Sequence, residues 1–155
     1  MNKIFLIFII FISYQSYAIN ISNDNSIASL NCFKSEQIDT IKIRHIPSYI
    51  LTRTNVTPKT LEQMYSYSIT IKNISDTPYG LEIVNSINKT NIMKNKSPGD
   101  LRWGVFLYND KELSCSIYFN GIGSYGEING EIYYFTDNKI LKWIKRNISF
   151  ITMNE

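Results

Sequence analysis

The chain has little of what most enzyme chemistry is built from. Among its 155 residues there is one histidine, and there are two cysteines. A single imidazole, His45, excludes the multi-histidine ligand sets of many metal centres. No cysteine or carboxylate cluster has metal spacing either, so neither a metal nor another cofactor is expected. No G-x-S-x-G occurs, which removes the nucleophile elbow of serine hydrolases. Alanine is nearly absent, at Ala18 and Ala28 alone, while Ile, Asn, Lys and Tyr dominate. That bias follows AT-rich codons and points to an AT-rich bacterial genome or an acquired island. The formal net charge is only +3, too small for the basic footprint of a nucleic-acid binder or a strong steering field.

Long apolar runs are also missing, with one short exception. "IFLIFIIFI" (4–12) follows Lys3 and precedes the small–x–small tripeptide "SYA" (16–18). Charged start, apolar centre and cleavage site together read as a signal peptide over residues 1–18. Nine apolar residues are too few to span a bilayer. An uncleaved anchor is the alternative, because Ile19 and Ile21 extend the tract. The expected mature chain, residues 19–155, has the length of one domain and carries no cysteine next to the cut for a lipid anchor. Export places it in the periplasm or, alternatively, outside the cell. In an oxidising compartment the pair Cys32 and Cys115 points to a disulfide, with two buried free thiols as the alternative.

What is abundant is β-pattern. "YSYSITIKNI" (65–74) alternates Tyr65, Tyr67, Ile69 and Ile71 against Ser66, Ser68, Thr70 and Lys72. "IDTIKIRHI" (38–46) puts Ile41, Ile43 and His45 on one face. "LRWGVFLYN" (101–109) does so with Leu101, Trp103, Val105 and Leu107, and "ELSCSIYF" (112–119) with Leu113, Cys115, Ile117 and Phe119. Thr57-Pro58 and Thr77-Pro78 read as helix starts, a capping threonine before a proline at the first helical position. The second helix should run to about residue 90 with Leu81, Val84 and Ile87 on its apolar side. "DNKILKWIKRN" (137–147) reads as a closing amphipathic helix capped by Asp137, with cations near its C-terminus. Residues 19–31 look like a loose lead-in. The sum is an α+β domain: a mainly antiparallel sheet with helices packed on one face.

"NGIGSYGEING" (120–130) spells a literal G-x-G-x-x-G at Gly121, Gly123 and Gly126. A dinucleotide site needs a helix after the third glycine. Here a β-branched, aromatic stretch and a second turn signal, Asn129-Gly130, follow instead. The glycines are read as a hairpin tip. His45, on an apolar strand face, reads as a packed core residue. Glu127 and Glu131 flank the Asn129-Gly130 turn and could form a carboxylate pair. Tyr108, Tyr118, Tyr125 and Tyr134 fall off the expected core faces; tyrosine is enriched at protein–protein hot spots, and cover for the second face of the sheet is the equal alternative.

The stretch "DLRWGVFLYNDKELSCSIYFNGIGSYGEINGEIYYFTDNKILKWI" (100–144), with "TPKTLEQMYSYSITI" upstream, resembles small exported proteins of Gram-negative bacteria. Its marks are D-L-R-W, S-I-Y-F before a glycine-rich turn, I-N-G, and the tryptophan of the closing helix. Such proteins resemble immunity proteins of interbacterial toxin systems, including those guarding the periplasm against type VI secreted effectors. The resemblance implies a non-enzymatic protein that occludes a cognate toxin acting on the cell wall or envelope. Tyr118, Asn120, Tyr125 and Glu127 are then the expected partner contacts. Two other classes stay open: an exported envelope-acting enzyme using Glu127 and Glu131 or His45, and a secreted binding or effector domain.

Overall fold

The computed structural model describes residues 25–148. The expected signal peptide (1–18) lies outside the described residues, as do 19–24 and 149–155. Seven strands and three α-helices follow one another: β1 (Thr40–His45), α1 (Pro58–Gln63), β2 (Tyr67–Lys72), α2 (Pro78–Asn88), β3 (Asn91–Lys94), β4 (Leu101–Asn109), β5 (Glu112–Asn120), β6 (Tyr125–Ile128), β7 (Glu131–Asp137) and α3 (Lys139–Asn147). The strands form one sheet in the order β2-β1-β4-β5-β6-β7-β3, and every neighbouring pair is antiparallel. This is the α+β architecture expected from the strand and helix patterns.

Local chemistry sets most of the boundaries. Thr57 Oγ1 accepts from the Thr60 amide at the start of α1, and Thr77 Oγ1 from the Gly80 amide at the start of α2, each followed by proline. The caps satisfy amides that have no partner inside the helix. β4 and β5 join through Asp110 and Lys111, both at positive φ, and β6 and β7 through Asn129 and Gly130, again both positive. Two such residues in a row give the tight hairpin turns whose twist matches that of the strands. At α3 the cap is Asn138, whose Oδ1 accepts from the Leu141 amide at 2.9 Å. Asp137, the expected cap, sits one residue too early and instead pairs with Lys139 and Lys142.

The sheet has a core on each face. On one, α2 and α3 pack over Ile41, Ile43, Trp103, Val105, Leu107, Cys115, Ile117, Phe119, Tyr133 and Phe135. Here Glu82 of α2 receives the Trp143 indole N–H and pairs with Arg146, both from α3. Buried Thr90 Oγ1 accepts from the Lys139 and Ile140 amides and so ties the end of α2 to the start of α3. On the other face a smaller core joins Ile46, Val56, Leu61, Leu101, Phe106 and Tyr118 beneath α1. Gly104 makes room for it: a Cβ there would lie 2.6 Å from a Leu61 methyl.

Several expectations are corrected. Residues 19–31 are not simply a loose lead-in, because Ile27–Leu30 forms a 3-10 turn with Ile27 in the main core, and Ser26 bridges Asn91. Asn91 opens β3, a strand that no sequence pattern announced. Leu81 points outward, and the buried side of α2 is Gly80, Ile83, Val84 and Ile87. Register shifts between Leu101 and Trp103 and between Leu107 and Tyr108 break the alternation of β4 against β5. Leu101 therefore joins the smaller core and Leu113 is left exposed. Cys32 and Cys115 are bonded, with Cα atoms 5.5 Å apart across 83 positions of sequence. The bond fastens the N-terminal segment to the centre of the sheet.

Candidate protein-binding surface

α1 and the 46–56 loop cover only part of the second face. Among the described residues, no helix covers the β6-β7-β3 end of that face. Opposed residues of neighbouring antiparallel strands share a face. The register pairs Tyr125 with Tyr134, Glu127 with Ile132, and Tyr134 with Met93. All five side chains thus lie on the open side. Tyr125 and Tyr134 are 40% and 37% exposed, and Met93 is 54% exposed. The two tyrosine rings meet edge to face at 5.1 Å, a favourable arrangement of an aromatic pair.

The glycine-rich turn adds a prominent apolar side chain. Ile122 is 76% exposed. It borders a depression of about 270 Å³ that Tyr134, Ser124, Leu141, Lys142 and Lys145 also line. The turn is clamped at both ends. Asn120 Oδ1 accepts from the Ser124 and Tyr125 amides, and Asn120 O accepts from the Gly123 amide at 2.9 Å. Asn138 Nδ2 donates to Gly123 O at 3.0 Å. Gly123 has φ +79, and a Cβ there would lie 2.6 Å from a Leu141 methyl, so glycine is required. The turn is a hairpin tip, not a phosphate cradle, since strand β6 follows it.

The four expected contact residues lie in different surroundings. Tyr125 is on the surface and part of the patch. Asn120 is half-buried and acts through the turn, as its amide-accepting oxygen shows. Tyr118 is 3% exposed, too buried to be a surface contact. It faces away from the main core as expected, but that side has its own core. Its ring packs edge to face on Phe106, and its hydroxyl donates to the Glu62 carboxylate. Burial first, and then that carboxylate, push its pKa up. Glu127 is half-buried beside Ile132. Burial raises its carboxyl pKa, partly offset by the Gly130 amide.

Glu127 and Glu131 do not form a pair. Glu127 is opposite Ile132 and Glu131 is opposite Ile128, so the two point to opposite faces. Glu131 is held by Lys94 and by the Tyr133 hydroxyl, which lower its pKa. His45 is 1% exposed, stacked on Trp103 at 3.6 Å. Its Nδ1 lies 3.1 Å from Arg102 O, and since a carbonyl only accepts, Nδ1 carries the proton. Among the described residues no group of three or more His, Cys, Asp or Glu side chains could hold a metal ion.

Ile122, Tyr134, Met93 and Ile132 are the members of the patch that the sequence-derived contact set lacks. One signal could have found Ile122: a large apolar residue between two turn glycines has no strand or helix to bury it. No protein-family model, curated protein or solved structure matches the chain significantly.

Proposed function

We propose that the chain is an exported binding protein of the immunity type, and that it seats a cognate toxin on the open end of its sheet. The observation that carries this reading is the preformed apolar and aromatic patch of Ile122, Tyr125, Tyr134 and Met93. Contiguous exposed apolar surface rimmed by polar groups marks interaction sites, and tyrosine and methionine are enriched at protein interfaces. The clamps on the 121–124 turn fix Ile122 before binding, so little conformational entropy is lost when it enters a partner pocket. Glu127, Lys142 and Lys145 supply a charged rim.

The compartment follows from the leader-like N-terminus and is supported by the Cys32–Cys115 bond, because such bonds persist in oxidising compartments. A periplasmic binder of this kind meets toxins that attack the cell wall or envelope. It acts by occlusion: the Ile122 turn enters the toxin's cleft while the tyrosine face seals against its rim. A one-to-one complex of ordinary size buries about 1,200–2,000 Å² in total.

The test is co-expression of a captured toxin partner with wild type or with the Ile122→Asp, Tyr125→Ala, Tyr134→Ala variant. Wild type is expected to protect cells and the variant to fail while remaining folded. Equal protection by both would place the interface elsewhere.

A further inference from the structure

β2 forms one edge of the sheet and has a neighbouring strand, β1, on one side only among the described residues. Natural edges are usually blunted by proline, bulges or inward charges. β2 runs Tyr-Ser-Ile-Thr-Ile-Lys without proline, its register against β1 is unbroken, and its one charge comes at the end. Its two faces differ sharply. Ile69 and Ile71 are only partly buried and extend the main core to the rim of the sheet. On the opposite face Ser68 and Thr70 are exposed and small.

Behind those two small residues stands a row of cations. The register puts Arg44 beside Ser68 and Lys42 beside Thr70, with Lys72 closing the row. Lys42, Lys72 and Lys111 line an open depression of about 880 Å³ together with Thr70, Tyr108, Asp39 and Asp110. Arg44 and Lys42 are steadied by aromatic rings: Arg44 lies over Tyr65 and Phe106, and Lys42 over Tyr108. Asp39 accepts from Thr40 and from the Asp110 amide, the latter at 2.7 Å, contacts that lower its pKa and keep it charged. Asp110 sits exposed at the hairpin turn. Arg44, Lys42, Lys72 and Lys111 outnumber the carboxylates of Asp39 and Asp110, so the face beside β2 is net positive.

We infer that β2 receives an extended segment of another protein as an eighth strand, and that this segment alternates acidic and apolar residues. The alternation is imposed by the sheet. Successive residues of an added strand face opposite sides. One set lies beside Ile69 and Ile71 and must be apolar to cover them. The other set faces Arg44, Lys42 and Lys72 and must be acidic to match them. Main-chain hydrogen bonds along the edge supply affinity, and the two faces supply selectivity. This surface lies at the opposite end of the sheet from the Ile122 and Tyr125 patch, and the inference stands independently of the role proposed for that patch.

The probe is a synthetic heptapeptide, acetyl-EVEVEVE-amide, with acetyl-KVKVKVK-amide as its charge-reversed control. Each is titrated into ¹⁵N-labelled mature protein at low salt while amide shifts are followed. The acidic peptide is expected to shift residues 67–72 and 40–44 and to bind at least about tenfold tighter than the basic one, with the difference shrinking as salt is added. Lys42→Glu with Lys72→Glu should reverse the preference. Lys72→Glu with Lys111→Glu, both at exposed positions, should narrow it even if the first variant misfolds. Equal affinity for the two peptides, shifts confined to the Ile122 and Tyr125 end, or no shift in β2 at millimolar peptide would each overturn the inference. Variants of the tyrosine patch should leave this titration unchanged, which separates its outcome from that of the proposed function.

Discussion

Reducing the Cys32–Cys115 bond should cost the domain several kcal/mol. The joined positions are 83 apart. A loop of that length, released in the unfolded state, gains roughly 15 cal/mol/K by the chain-entropy relation, or about 4–5 kcal/mol at 25 °C. Bonds of this kind often deliver less, so the expected loss is between about 2 and 5 kcal/mol. Because Cys115 is fully buried and Cys32 packs against the core, Cys32→Ala with Cys115→Ala adds about 1 kcal/mol of lost packing. Reduced wild type isolates the bond from that packing effect. Trp103 and Trp143 are both buried, one in each layer, and their fluorescence reports urea unfolding. Reduced protein should unfold at lower urea with a steeper dependence, because its unfolded chain exposes more surface. Oxidised and reduced proteins that unfold within about 0.5 kcal/mol of each other would refute the reasoning, since the bond's main effect is on unfolded-chain entropy.

Other outcomes follow from single contacts. Gly126→Ala places a methyl 1.9 Å from Tyr118 O, which forces β5 and β6 apart; a loss of about 3–5 kcal/mol is expected in chemical denaturation. Thr90→Val removes the acceptor for the Lys139 and Ile140 amides and should cost about 1–3 kcal/mol, read by the same assay. Tyr125→Ala and Tyr134→Ala, at surface positions, should each change stability by no more than about 1 kcal/mol while weakening the proposed toxin complex at least tenfold, as measured by calorimetry. Glu127→Gln tests the half-buried carboxyl. A pKa raised by folding means that the folded state holds its proton to higher pH, so stability declines as pH rises from the unfolded value of about 4.3 through the folded one. The amide variant should therefore be at least as stable as wild type at pH 7, with any gap closing below about pH 4; a variant less stable at pH 7 than at pH 4, relative to wild type, contradicts this.

The elements legible in the sequence are those fixed by near neighbours. β2 announces itself by strict alternation, α1 and α2 by Thr-Pro caps, and the 129–130 turn by Asn-Gly. What was hidden depends on partners distant in the chain. β3 has four residues and one buried side chain, Ile92, and it exists because β7 lies beside it. Leu101 and Leu113 change sides at register shifts that no period-2 pattern records. Tyr118 faces away from the main core, a position open equally to a surface contact and to cover for the second face, and the docking of α1 and the 46–56 loop buries it. The candidate surface was half legible: Tyr125 and Asn120 lie where the glycine-rich turn suggested. Met93 and Ile132 join them only through strand pairing. Ile122 owes its prominence to clamps from Asn120 and Asn138 that become visible when α3 is in place.

The central claim is that the open end of the sheet binds a protein in the exported compartment. The direct measurement is quantitative capture from the periplasm of the source strain. It compares mature wild type with the folded Ile122→Asp, Tyr125→Ala, Tyr134→Ala variant and identifies partners by mass spectrometry. The account predicts one stoichiometric partner carrying an envelope-directed toxin domain on wild type, and its loss from the variant. The same partner retained equally by both proteins would contradict it, as would no partner at all from a strain shown to express its toxins.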